Sequence, residues 1–266
     1  MTQTVRVLKY AGGGDTGERL PLQRAPILGD QGDLSKGSIA VMKKPTLPTL
    51  LSFNAGYVDT AGFLALHGLF TAHVTGNFVT LGASLVTGTT GAIAKLLALP
   101  AFCLVVALVR LLRYALIRRK RPVLRTMLML KLLLLIAGAA LAVYFGPFAN
   151  GDSISAILTG LTLVAAMAIQ NAIQRVHLSH APPTTLMTGT TTQVMLDLAD
   201  KFHGVSGEEK AVIDARLTRM VTNVCVFALG CGSGAMLFDL FSVKCFVVLP
   251  VVALLTYNHQ EAYATT

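Results

Sequence analysis

The chain has 266 residues, 53% hydrophobic and only 13% charged, against roughly 25% charged in an average soluble domain. Its mean hydropathy is +0.64, so it lacks the polar side chains needed to cover a water-facing surface, and an integral membrane protein is expected. The net charge of +9 does not point to nucleic acid, because the basic residues lie beside apolar runs without the interleaved aromatics of a nucleic-acid surface.

Residues 1–46 hold seven Lys/Arg, four Asp/Glu and seven Gly and no long apolar run, which predicts a disordered basic cytoplasmic tail with no signal-peptide core. Six apolar segments follow, at 47–69, 92–117, 123–148, 154–178, 217–238 and 241–257, each read as a span because about 20 residues cross the hydrocarbon core. Two further stretches, 71–86 and 184–198, are too short and too polar to span. With no Trp in the chain, Tyr, Lys and Arg are left to anchor the interface. Cys103, Cys225, Cys231 and Cys245 fall inside apolar stretches without a CxxC pair and are read as buried free thiols.

Charge counting assigns the short stretches. From Arg110 to Lys131 there are eight Lys/Arg and no acid, including the run Arg118, Arg119, Lys120 and Arg121. That loop and the basic tail should both be cytoplasmic. An even number of crossings must separate them, so 71–86 is expected to dip in and return. The 149–153 loop carries no basic residue and is placed outside, while 175–219 carries five and is placed inside, which makes 184–198 re-entrant too. This arrangement puts 20 of the 22 Lys/Arg on the cytoplasmic side and leaves Lys95 and Lys244 near the outer face.

The chain also repeats itself. The stretch from Ala55 to Gly82 aligns with that from Ala168 to Met195: Asp59 answers Asn171, and Thr75-Gly76-Asn77 answers Thr188-Gly189-Thr190. Three spans and one hairpin per copy invert the second copy relative to the first. The expected fold is therefore an all-α integral membrane protein of about six transmembrane helices with two re-entrant Thr-Gly hairpins. Its first repeat covers 47–148 and its second 153–258, an arrangement used by secondary transporters.

The segment Gly56-Tyr57-Val58-Asp59 through Phe63, then His73-Val74-Thr75-Gly76-Asn77, resembles the YoaK-like family of uncharacterised bacterial inner-membrane proteins, as do Pro183-Thr184-Thr185 and Met187-Thr188-Gly189. The resemblance covers roughly 47–258 and implies a bacterial cytoplasmic-membrane protein without an agreed substrate. The family's second motif commonly reads Thr-Gly-Asn, whereas this chain has Thr190 in the last place.

Asp59 is the leading site candidate, because an isolated carboxyl in mid-span costs a few kcal/mol and is usually functional or paired. It is read as a proton-coupling group, a cation ligand or a substrate contact, or else as a structural acid bonded to Asn54 or a Thr. Thr75, Gly76 and Asn77, with Asn171, Thr188, Gly189 and Thr190, form the second constellation. Gly allows the turn, and the flanking Thr and Asn are expected to cap the following short helices and leave their positive ends facing a polar or anionic solute. His67, His73, His177 and His180 lack a completing Cys or acid for a metal and are read as interfacial or hydrogen-bonded. Arg175 is expected either to pair with Asp59 or to reach the interface, and Asp197 and Asp200 to face water. The glycines around 230–234 read as helix packing.

The resulting expectation is a proton-coupled secondary transporter of a small polar or amphiphilic solute, multi-pass in the bacterial inner membrane with its N-terminus cytoplasmic. Its partners are the solute and membrane lipids and no nucleic acid, with room for a homo-oligomer; no cofactor, metal or catalytic residue is expected. The alternative is a non-transporting lipid- or quinone-binding membrane protein that affects bilayer properties. An intramembrane enzyme is disfavoured because no nucleophile–base pair stands out.

Overall fold

A computed structural model describes residues 45–185 and 187–259; the tail expected over 1–46 lies outside them but for its last two residues. Among the described residues there are eight α-helices and no strand. The helices are α1 (Leu47–Ala65), α2 (Asn77–Thr87), α3 (Ala92–Arg118), α4 (Val123–Phe145), α5 (Ile154–His177), α6 (Met187–His203), α7 (Glu208–Phe241) and α8 (Val248–Asn258). Short 3-10 turns at Val74–Gly76 and Ser242–Val247 lead into α2 and α8.

Local chemistry sets the helix ends. α1 starts where the Thr46 hydroxyl accepts the Thr49 N–H and Pro48 enters the first turn, and α5 starts where Ser153 accepts the Ala156 N–H. α1 stops at Ala65 because His67 and Gly68 take positive φ, 55° and 85°, and the reversal sends the chain back along α1. α3 is capped from a distant loop: the Asp152 carboxylate accepts the Gly91 and Ile93 N–H groups, each at 2.9 Å. His67 joins the same end, with Nε2 2.8 Å from the Phe148 carbonyl and Nδ1 3.1 Å from the Thr90 hydroxyl.

Among the described residues, four helical runs are long and apolar enough to cross a membrane: α3, α4, α5 and the combined run Glu208–Asn258. The expected spans at 92–117 and 154–178 match α3 and α5 closely, and that at 123–148 ends early because Gly146 turns extended after Phe145. The expected spans at 217–238 and 241–257 fall together in the fourth run, broken at Ser242, whose φ is +50°. α1 is long enough but too polar to join this group, carrying Ser52, Asn54 and Asp59, all of them buried.

Burial sorts the helices into layers. In α5, 67% of the apolar window is buried, against 22% in α3 and 33% in α4, so α5 is interior while α3 and α4 turn large apolar side chains outward. α1 is interior as well: Leu47, Leu51, Ala55, Tyr57, Val58 and Ala61 are all fully buried. The first helix of each expected repeat thus forms the centre. α1 packs along α7, and α5 along α3 and α4. The α1–α7 crossing brings backbones together. A Cβ on Gly56 would collide with the Phe227 carbonyl oxygen, and one on Gly230 with that of Phe53, so only glycine fits at either place. The reading of the 230–234 glycines as helix packing therefore holds for Gly230 and Gly234, whereas Gly232 faces open space.

Two basic residues are buried within the helices. Lys95 is only 4% exposed and its Nζ donates to the Ser84 hydroxyl at 2.5 Å, so it ties α3 to α2. Lys131, grouped with the loop charges, is fully buried in α4 without a hydrogen-bond partner among the described residues. The four cysteines are unpaired, as expected, but Cys103 and Cys225 are exposed on helix surfaces instead of buried.

Candidate functional site

Asp59 sits in the middle of α1 and is 4% exposed. Because the chain doubles back after Gly68, the main chain at 71–72 faces this carboxylate. Asp59 Oδ1 accepts the Thr71 and Ala72 N–H groups, each at 2.7 Å, with the Thr71 hydroxyl at 3.4 Å. Its Oδ2 lies 2.6 Å from His73 Nδ1. Asn54 does not contribute; both polar atoms of its side chain are buried without a partner among the described residues. The carboxylate is thus held by two amides, a hydroxyl and an imidazole, charge-assisted bonds of the strong kind.

The second half builds a parallel contact without a charge. The Thr185 hydroxyl donates to Asn171 Oδ1 at 2.8 Å, and Asn171 Nδ2 donates to the Met167 carbonyl. Asp59 and His73 are 14 residues apart, as are Asn171 and Thr185, so the matched helix residues bond matched positions in the two returning segments. Asp59–His73 and Asn171–Thr185 thus form two polar pairs at aligned positions. Phe227 closes one side, edge-on to His73 at 5.5 Å.

Cavities flank these pairs. The larger, about 760 Å³, lies between α3 and α5, with His73, Thr75 and Asn171 as its polar patch, Leu99, Phe102 and Met127 among its apolar walls, and Arg110, Arg113 and Arg175 toward the ends of the two helices. The smaller, about 330 Å³, lies between α1 and α7 against Asp59, Thr60, Phe63, Phe227 and Cys231. His73 lines both. Arg175 is exposed at the larger cavity instead of pairing with Asp59, whose side-chain partner is His73.

The Thr-Gly motifs divide. Thr75 reaches the large cavity, whereas Gly76 packs on the Phe70 ring. Asn77 is buried and bonds both polar groups of the Phe70 main chain, accepting its N–H and donating to its carbonyl, each at 2.8 Å. It therefore locks the turn, and α2 has no side-chain cap. Thr188 and Gly189 are exposed within the first turn of α6, and Thr190 is buried; none of the three lines either cavity. The expected pair of capped helix ends facing one solute is corrected accordingly: the motif precedes α2 but lies inside α6.

Asp197 was expected to face water and does not. It is fully buried in α6, where it accepts two bonds from Arg216 of α7 at 2.8 and 2.6 Å and one from Gln193 at 2.7 Å. The Arg216 guanidinium holds its carboxyl below the usual carboxylate range, with Gln193 assisting. Asp200 is exposed, as expected. Sequence reasoning missed His73 as the partner of Asp59, Thr185 as its counterpart, and the cavity-facing arginines. The His-Val-Thr-Gly and Pro-Thr-Thr segments, aligned on their upstream polar residues, carried the first two.

Residues 47–258 match the model of the family described as protein of unknown function (DUF1275), so the chain belongs to that family, in keeping with the YoaK-like resemblance of its motifs. No curated protein and no solved structure matches it.

Proposed function

We propose that this DUF1275 member is a proton-coupled secondary transporter of a small polar or amphiphilic solute, and not an enzyme. It resides in the bacterial cytoplasmic membrane with its N-terminus inside, and α2 and α6 are re-entrant hairpins within inverted repeats over 47–148 and 153–258. The observation that carries this reading is the pair of matched polar contacts, Asp59–His73 and Asn171–Thr185, with His73 lining both cavities.

Helix packing supports the repeat. Exchanging α1 with α5, α2 with α6, α3 with α7 and α4 with α8 turns the α1–α7 contact into α5–α3, α4–α5 into α8–α1, and α2–α3 into α6–α7, and all of these contacts exist. The counterpart of the α3–α4 contact is carried by the turn Ser242–Val247, which packs on both α7 and α8. The cavities follow the same exchange, since one lies between α3 and α5 and the other between α7 and α1.

The coupling works through the bonds to Asp59. As a carboxylate it holds the Thr71 and Ala72 amides and His73 against α1. A proton on the pair neutralises the carboxylate, weakens those charge-assisted bonds, and frees the 71–76 segment to move between the cavities that His73 separates. The bound proton and solute thereby favour one arrangement of two.

Purified protein in liposomes with an imposed pH gradient, offered a panel of small polar and amphiphilic solutes, tests the reading. The wild type should accumulate at least one of them, and Asp59→Asn, still folded, should not. A lipid- or quinone-binding protein without transport would retain its ligand yet accumulate nothing from the panel.

A further inference from the structure

The large cavity is apolar along most of its length but ends in three guanidinium groups. Arg110 and Arg113 come from α3 and Arg175 from α5, one turn beyond Asn171, and all three line the cavity with no acidic residue among its lining. Arg110 is held by Tyr114, whose hydroxyl accepts its Nε–H at 3.0 Å and whose ring lies 5.0 Å below the guanidinium carbon. Arg113 is the more telling: its Nε is buried and has no hydrogen-bond partner among the described residues. A buried guanidinium donor without an acceptor costs energy unless something fills the place. The loop run Arg118–Arg119–Lys120–Arg121 already supplies the orienting charge, so positive-inside topology does not require three more arginines facing a cavity.

Resting on the transporter reading, we infer that this cavity takes an amphiphilic anion, one carboxylate or phosphate group on an apolar body. The anionic group forks onto Arg113 and Arg175 with Arg110 beside them, and the apolar body lies along Leu99, Phe102, Val106 and Met127. Planar guanidinium groups suit both carboxylate and phosphate, and a volume of about 760 Å³ is that of a site enclosing a drug-sized molecule. The Thr75 hydroxyl and the Asn171 amide at the His73 end supply a second polar contact.

Cys103 lines the cavity and is exposed, so its alkylation reports occupancy. The experiment titrates detergent-purified full-length protein with dansyl-undecanoate, its methyl ester and inorganic phosphate, reading dansyl fluorescence and Cys103 alkylation by mass spectrometry. Dansyl-undecanoate should bind and protect Cys103. The ester, which has the body without the charge, and phosphate, which has the charge without the body, should each bind about tenfold more weakly or worse. Arg113→Gln and Arg175→Gln should each weaken the acid about tenfold, the scale of one lost charged bond. Arg113→Lys should recover part of the loss, and Arg118→Gln, outside the cavity, should change nothing.

Equal binding of acid and ester, or unchanged binding in Arg113→Gln and Arg175→Gln, overturns the inference. Repeating the titration in nanodiscs separates the sources of the anion. Displacement of the probe by phosphatidylglycerol but not phosphatidylcholine assigns the site to a lipid headgroup, and no displacement by either assigns it to a free amphiphile. Because binding is read without a gradient, a protein that binds the acid but accumulates no solute would sink the transporter reading alone. One that accumulates other solutes and ignores the acid would sink this inference alone.

Discussion

The two halves of the molecule use matched positions for opposite purposes. At the centre, the first half places a titratable pair, Asp59 and His73, where the second places neutral Asn171 and Thr185. At the periphery the assignment reverses. Ser84 of α2 receives Lys95 of α3, whereas Asp197 of α6 receives the two-pronged bond of Arg216 of α7. The scaffold, a polar residue on the interior helix bonded to the returning segment and a short helix clamped to the next span, is common to both. The lesson is that such a scaffold tolerates charge in either half, so it does not by itself dictate a carboxylate at the centre of only one half, and the proposed coupling role supplies a reason for it.

The largest expected effect comes from moving that charge. Asp59→Asn keeps an oxygen for the Thr71 and Ala72 amides and should fold, yet lose gradient-driven uptake entirely. Asp59→Leu strips the partners from three donors and the imidazole, at about 1–3 kcal/mol for each buried group left unmet, and should fail to fold in a detergent thermal-unfolding assay. Adding Asn171→Asp to Asp59→Asn should not restore uptake, because Thr185 offers that carboxyl a hydroxyl where His73 offers an imidazole. Recovery of uptake in the double variant would erase the distinction between the halves.

Next come the helix crossings. Gly230→Ala drives a methyl into the Phe53 carbonyl oxygen, an overpacking expected to cost about 1–3 kcal/mol. Gly160→Ala meets only the tip of the Leu69 side chain, which can turn aside, and should cost less. Gly232→Ala, with nothing within 4 Å of the added carbon, should leave the unfolding midpoint unchanged within about 0.5 kcal/mol.

Much of this layout is legible in the residues. The run of apolar residues between charged loops marks α3, α4 and α5, and the spacing of Asp59 to Thr75 against Asn171 to Thr188 is what suggests the proposed repeat. α1 is harder to read because Ser52, Asn54 and Asp59 lower its hydropathy, and only tertiary burial shows that they face inward. The Asp59–His73 contact depends on the positive φ of His67 and Gly68, a reversal no hydrophobic period encodes. Asp197 looks like a surface acid until α7, bringing Arg216 from 19 residues away, covers it. Asn77, placed like a helix cap, is captured by the Phe70 main chain instead, since a turn that doubles back leaves buried amides needing partners.

Smaller effects are expected at the peripheral clamps. Arg216→Ala leaves Asp197 buried and without its cation; the arginine side chain is 39% exposed, so a loss of about 1–3 kcal/mol is expected, less than for a fully buried pair. Lys95→Met leaves a lone hydroxyl and should cost about 1 kcal/mol. The pH dependence follows from the lowered Asp197 carboxyl. A carboxyl depressed in the folded state stabilises above its unfolded pKa, and that contribution fades as pH falls through the folded one. The wild type should therefore lose stability in acid below the ordinary carboxylate range, and Arg216→Ala should show a flatter acid profile. Topology gives the last expectation: cysteines placed at Ser35 and Arg121 should resist an impermeant thiol reagent in intact cells, and labelling of either from outside would break the inverted arrangement.

The central claim, that one half carries the proton, is tested most directly by proton movement itself. Proteoliposomes loaded with a pH-sensitive dye are given a transported solute, comparing the wild type, Asp59→Asn and Asn171→Ser. The account expects solute-driven internal acidification in the wild type, a slower acidification with the same dependence on pH in Asn171→Ser, and none in a correctly inserted Asp59→Asn. Acidification by Asp59→Asn equal to the wild type, with the same dependence on pH, would contradict it.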